Sequence, residues 1–143
     1  MRALLDVNVL IALLDTDHVH HGPAASWLEM HLKDGWASCP ITQNGCIRIM
    51  SQPGYPNPLP AAQVAQRLAE AAARPQHRFW PDSISLLDGT AVDRSRLLSA
   101  RQVTDAYLLA LAFHNKGTFV TFDRSIALAV VPGAQERNVL VLS

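Results

Sequence analysis

The chain has 143 residues, room for one ordinary domain and little for a second. Hydrophobic residues make up 49% and charged residues 17%, which excludes a disordered or fibrous chain and predicts a globular one. Lysine and arginine together number 12, as do aspartate and glutamate. A global positive field that captures nucleic acid by charge alone is therefore excluded, and any such binding must rest on local patches.

Arg2 followed by apolar residues opens like a secretory leader, but Asp6, Asn8 and Asp15 interrupt it, so export is not expected. Ala3-Leu4-Leu5 reads as a short buried strand ending at Asp6, and Val7 to Leu14 continues at helical spacing with Asn8 as a break. A helix is predicted from Ala24 to Lys33, where Trp27, Leu28 and Leu32 share a face and Glu29 can pair with Lys33. Trp36 to Cys39 is a second strand, and Pro40-Ile41-Thr42 enters a helix whose stripe is Cys46, Ile47 and Met50. Cys39 and Cys46, the only two cysteines, match neither a disulfide framework nor a Cys-x-x-Cys motif, and a reducing cytoplasm is the expected setting.

Ser51 to Pro60 holds four prolines and one glycine and is read as a loop. An amphipathic helix is predicted from Ala61 to Ala73, a third strand from His77 to Trp80, a turn from Pro81 to Gly89 and a helix from Ala91 to Leu98. Asp105 to Lys116 is the strongest helix, with Gly117 as its stop. Its apolar stretch is far shorter than the roughly 20 residues that cross a bilayer. Thr118 to Phe122 and Val139 to Leu142 are the last strands. Strands separated by helices imply right-handed crossovers and a mostly parallel sheet covered on both faces.

In such a sheet ligands gather beyond the carboxyl ends of the strands. Asp6 and Asp123 each sit where a strand ends, and Asp105 opens the helix before the later strand. If the first and fourth strands are neighbours, these carboxylates converge. Clustered carboxylates suit Mg²⁺ or Mn²⁺, hard cations that prefer oxygen ligands and keep several waters. Such an ion acidifies a water, orients it for in-line attack and neutralises phosphate charge, so phosphodiester cleavage needs no protein nucleophile. Taken singly, each aspartate is more often a helix cap or turn residue. The absence of a glycine-rich phosphate loop and of a nucleophile elbow favours the metal reading.

Leu5-Asp6-Val7-Asn8-Val9-Leu10, Thr104-Asp105-Ala106-Tyr107-Leu108-Leu109-Ala110-Leu111-Ala112 and Thr121-Phe122-Asp123, together with Cys39-Pro40-Ile41-Thr42 through Arg48, resemble the PIN-domain family, specifically VapC-type toxins. The resemblance spans essentially the whole chain and implies one PIN-like domain over residues 1–143, a three-layer α/β/α sandwich. It further implies Mg²⁺- or Mn²⁺-dependent endoribonuclease activity, a homodimer and a cognate VapB-like antitoxin. On this correspondence Asp6, Asp105 and Asp123 are the catalytic, metal-holding acids, and Asn8 and Thr121 support them. The chain departs at Gln43, where many members carry glutamate; an amide oxygen still coordinates a hard cation or holds a water but brings no charge. The alternative is thus a PIN-fold module that binds RNA or a partner with weakened or lost cleavage, and a third reading is a nuclease acting on DNA.

Arg48, Arg94, Arg96 and Arg101 are candidate phosphate contacts, Arg48 and Arg101 foremost, although single arginines are more often solvated. His18, His20 and His21 match no structural zinc spacing and are read as an exposed stretch suited to an RNA or partner surface. Trp27, Trp36 and Trp80 are read as core rather than as base-stacking residues. The apolar helix stripes beginning at Trp27 and Ala61 are core, with any exposed remainder suited to a dimer or an antitoxin helix.

Overall fold

The computed structural model describes residues 1–143. Five strands, β1 (Ala3–Leu5), β2 (Trp36–Ser38), β3 (His77–Phe79), β4 (Thr118–Thr121) and β5 (Val139–Val141), form one sheet in the order β3-β2-β1-β4-β5. Every neighbouring pair is parallel, with Ala3 opposite both Trp36 and Thr118. The chain fills the sheet outward from β1 in one direction, then returns to the other side of β1 through β4. The crevice between the carboxyl ends of β1 and β4 is therefore the topological switch point, where open α/β sheets bind ligands.

Strand alternation divides the core into two layers. Leu4, Ala37 and Phe119 face α5 (Val103–His114), whose residues from Ala106 to Ala112 are all buried. Ala3, Leu5, Trp36 and Val120 face the other way, against Val9 and Leu10 of α1 (Val7–Leu14), Cys46 and Met50 of α3 (Pro40–Met50), and Val64 and Leu68 of α4 (Ala61–Ala72). Helix α2 (His21–His31) packs beside α1. The result is an α/β/α sandwich. Cys39 and Cys46 are both free and lie in opposite layers, so neither a disulfide nor a shared zinc joins them. Trp36 and Trp80 are core, while Trp27 is half-buried and stacks on His31. No helix is long and apolar enough to cross a membrane.

Four expectations are corrected. Asn8 does not break α1, because its side chain serves neighbouring backbone from inside the helix. Glu29 and Lys33 make no ion pair, since α2 gives way to a 3-10 turn at Leu32–Asp34. The helix predicted from Ala91 to Leu98 does not form: Asp93 accepts from the Ser95 N–H and hydroxyl, and this local bonding replaces helix with a 3-10 turn at Arg94–Arg96. Finally, α5 runs from Val103 to His114 and ends in a left-handed residue that is Lys116, at φ 57°, rather than Gly117.

Gly117 is needed for a different reason. A Cβ there would lie 2.6 Å from the Arg2 carbonyl oxygen and 2.6 Å from the Trp80 ring. The contact with Arg2 is part of the seam that joins β4 to β1, where the Thr118 N–H donates to that same carbonyl at 2.9 Å. Two neighbouring substitutions should therefore have opposite signs. Gly117→Ala is expected to cost about 2 kcal/mol by overpacking against backbone that cannot yield, whereas Lys116→Gly is expected to gain about 0.5–1 kcal/mol by relieving left-handed strain. Urea denaturation midpoints at constant slope check both.

Candidate active site

Asp6 sits one residue beyond β1 and is only 7% exposed. Its backbone N–H continues the sheet by donating to the Val120 carbonyl at 2.9 Å, which fixes the side chain at the switch point. One carboxylate oxygen caps α1, accepting from the Val7 N–H at 2.7 Å, and the other accepts from the Thr121 hydroxyl at 2.6 Å. The capping reading and the site reading are both correct for this residue, since each carboxylate oxygen retains a lone pair after one bond.

Thr121 is fully buried and is the hub of the site. Its hydroxyl donates to Asp6 and accepts from the Asp123 N–H at 3.0 Å, with the Asn8 amide at a long 3.5 Å. The Asn8 carbonyl oxygen in turn faces the Phe122 N–H at 3.4 Å. The end of β4 is thereby tied to the end of β1 through side chains once ladder bonding has run out.

Asp123 turns away into a local loop, where one oxygen accepts from the Ser125 N–H at 2.8 Å and its hydroxyl at 2.6 Å. These bonds hold its carboxyl below the usual range, helped by a hydrogen bond from Asp105 and the nearby Arg101 charge. Asp105, on the first turn of α5, is pushed the opposite way, up to about 7, first by burial, then by the Asp6 charge and by its hydrogen bond and repulsion with Asp123. Asp6 is also raised, chiefly by burial, with the Thr121 and Val7 bonds opposing. Sequence separations of about a hundred residues have thus been closed into one electrostatically coupled trio.

Asp105 and Asp123 open onto a cleft of about 360 Å³ whose polar lining also includes Ser99, Arg101, Gln102 and Ser125. Asp6 lies behind them. The donor set is carboxylate and hydroxyl oxygen without thiolate or imidazole, the chemistry of a hard divalent cation. The charge balance fits as well, because no lysine or arginine is within ion-pairing distance of any of the three acids; the chain's single ion pair is Arg96 with Asp93, at 3.9 Å. As placed, no three acidic, histidine or cysteine side chains enclose one point ready for an ion. Asp105, whose carboxyl is pushed up beside Asp123, must lose its proton before both can coordinate.

The remaining candidates fall in different places. Arg101 lines the cleft, whereas Arg48 is exposed on the last turn of α3, roughly 12 Å down the helix axis from Pro40 and apart from the cleft lining. Arg94 and Arg96 belong to the 3-10 turn beyond it. Gln43 does not reach into the cleft; its amide donates to the Ser38 hydroxyl at 2.9 Å, and that hydroxyl meets His77 Nε2 at 2.8 Å. Ser99, Gln102 and Ser125 were not anticipated from sequence. A Ser-x-x-Gln capping box at Ser99 and an Asp-x-Ser turn at Asp123 were the signals that could have located them.

The PIN domain family profile matches residues 3–131. Ribonuclease VapC44 of Mycobacterium tuberculosis is 56% identical over 142 residues, covering 99% of this chain and all of that protein. Ribonuclease VapC39 of the same organism is 44% identical over 138 residues, covering 95% of this chain and 99% of that protein. Among solved structures, VapBC2 of Rickettsia felis, bound to a DNA fragment from its promoter, superposes with a TM-score of 0.66 over the full length of both chains at 14% identity, a likeness of fold. A profile match over nearly the whole chain, joined to identity above half with a full-length VapC, establishes that this chain belongs to the PIN-domain family and to its VapC-type members.

Proposed function

We propose that the protein is a metal-dependent endoribonuclease of the VapC toxin type, with Asp6, Asp105 and Asp123 as its catalytic acids. The observation that carries this reading is a trio of coupled carboxylates at the switch point with no cationic side chain in ion-pair contact, in a chain whose curated relatives are named ribonucleases. Mg²⁺ or Mn²⁺ held there supplies charge neutralisation for the phosphate and a water acidic enough to attack at neutral pH. The side chains divide the remaining work. Thr121 and the Val7 N–H fix the direction of Asp6, Ser125 keeps Asp123 ionised, and Arg101 stands at the cleft to hold a phosphate oxygen. A VapB-type antitoxin is the inferred partner, supported by a groove of about 350 Å³ lined by Leu10, Leu13, Leu14, Leu28, Leu32 and Leu68, suited to the apolar face of a helix. The homodimer implied by the family resemblance belongs to the same reading.

A second reading, a module that binds RNA without cutting it, draws on Gln43, which brings no charge and spends its amide N–H on Ser38. The two separate cleanly. Purified protein with Mg²⁺ or Mn²⁺ is expected to cleave structured RNA, to leave the matching DNA strand intact and to stop when the metal is chelated. Asp6→Asn should lower cleavage by roughly 100-fold or more while the circular dichroism of the fold is retained. Gln43→Glu should change the rate only a few-fold; a jump from no cleavage to robust cleavage would instead establish the binding-module reading.

The raised Asp105 carboxyl gives a signed pH dependence. In the metal-free protein its stabilising contribution is fully present below the unfolded carboxylate range near 4 and is lost as pH rises through about 7. Asp105→Asn should therefore match the parent only below pH 4, pull ahead as pH rises from there to about 7, and exceed it at pH 8 by about 1–2 kcal/mol, after allowing for solvent screening at a half-exposed group. Adding Mg²⁺ should close that gap at pH 8 for the parent alone, since binding requires the charged form. Thermal melts across this pH range, with and without Mg²⁺, decide the matter.

A further inference from the structure

The stretch His18-Val19-His20-His21 is absorbed by none of the chemistry above, and its three rings are used in three ways. His21 donates to the Ala12 carbonyl at 2.8 Å and closes the corner between α1 and α2. His18 Nδ1 accepts the His20 backbone N–H at 3.0 Å and closes the turn. The His20 ring makes no hydrogen bond. It lies nearly flat on Phe122, with ring centroids 4.6 Å apart and planes at 23°, and touches His18 only at a tilt, 5.7 Å away.

Phe122 is the residue between Thr121 and Asp123, and its backbone N–H is directed to Asn8. Side chains of successive residues leave an extended strand on opposite sides, so the same strand end presents Asp123 to the cleft and Phe122 to the α1 layer. His20 is exposed and covers Phe122 from outside, which leaves the outer imidazole face open to solvent, over the residue that precedes Asp123 and on the other side of the strand end. A flat aromatic surface with no enclosing polar pocket is poorly suited to gripping a phosphate and well suited to stacking an unpaired base, a contact that tolerates any base identity.

Resting on the ribonuclease reading, we propose that the His20–Phe122 pair is the stacking platform for one unpaired nucleobase of the RNA, next to the phosphate that is cut. His20 is on this account a substrate-contacting residue that acts in binding rather than in the chemical step. It also gives a basis for favouring RNA loops over duplex, since only a splayed base can reach the face.

The test uses the full-length protein loaded with Mg²⁺ and an RNA hairpin whose loop contains the mapped cleavage site, with 2-aminopurine placed on either side of it. His20→Ala is expected to raise KM roughly ten-fold with kcat nearly constant, and His20→Phe or His20→Tyr to restore KM. In the cleavage-silent Asp6→Asn background, 2-aminopurine fluorescence should be quenched on binding at one of the two positions, and this quenching should vanish with His20→Ala. If His20→Ala lowers only the melting temperature and leaves KM and quenching as in the parent, the ring is a packing element and the proposal falls alone. It falls equally if His20→Phe is as damaging as His20→Ala. If the parent neither binds nor cuts the hairpin, the ribonuclease reading falls and takes the platform with it.

Discussion

The structure depends on housing a buried carboxyl group at the centre of its sheet, where burial raises its pKa. Asp6 follows the innermost strand and is almost closed off from water, where an unpaired charge costs several kcal/mol. Three features offset that cost without spending a cation: the first N–H of α1, the positive end of that helix, and the Thr121 hydroxyl. Each of them requires the β1–β4 pairing or the abrupt entry into α1. The topology and the charge thus support one another. Strand order brings Thr121 to Asp6, and the bond from Thr121 to Asp6 locks the strand ends where the backbone ladder stops.

From this follows the inequality between the other two acids. Asp105 and Asp123 are neighbours whose surroundings push their carboxyls in opposite directions. Ser125 and Arg101 favour charge on Asp123, while burial and the fixed Asp6 charge disfavour it on Asp105. Groups coupled this closely titrate as a pair. A cation bound there relieves the repulsion without a proton, which links the stability of the protein to its occupancy.

Features carried by local pattern were legible in the sequence. The short apolar runs before Asp6 and Asp123 are strands, and α5 is a helix apolar enough to be buried on nearly every side. The pairing of the first and fourth strands, the condition on which convergence of the acids rested, does occur. Less legible was anything decided by competition between local bonds. Asp93 and Ser95 draw the 91–98 segment out of a helix, and the backbone approach of Arg2 to Gly117 gives that glycine a role other than the left-handed stop it resembled. Contacts between distant residues left no trace in spacing at all. Nothing in His18-Val19-His20-His21 reveals that one ring will cover Phe122, a hundred residues on.

Gln43 is tied to neighbours outside the cleft rather than to the acids. Its amide donates to the Ser38 hydroxyl, which also bonds His77 Nε2. Burial, reinforced by Arg2, pulls the His77 pKa down and so favours the uncharged ring. A glutamate at the same position could not donate. It would take the Ser38 proton for itself, and His77 Nε2 would then have to be the protonated nitrogen of the ring. The amide at 43 and the histidine at 77 thus constrain one another through Ser38, on the opposite side of β1 from β4. That connection is separate from the one that runs from Asp6 through Thr121 to Asp123.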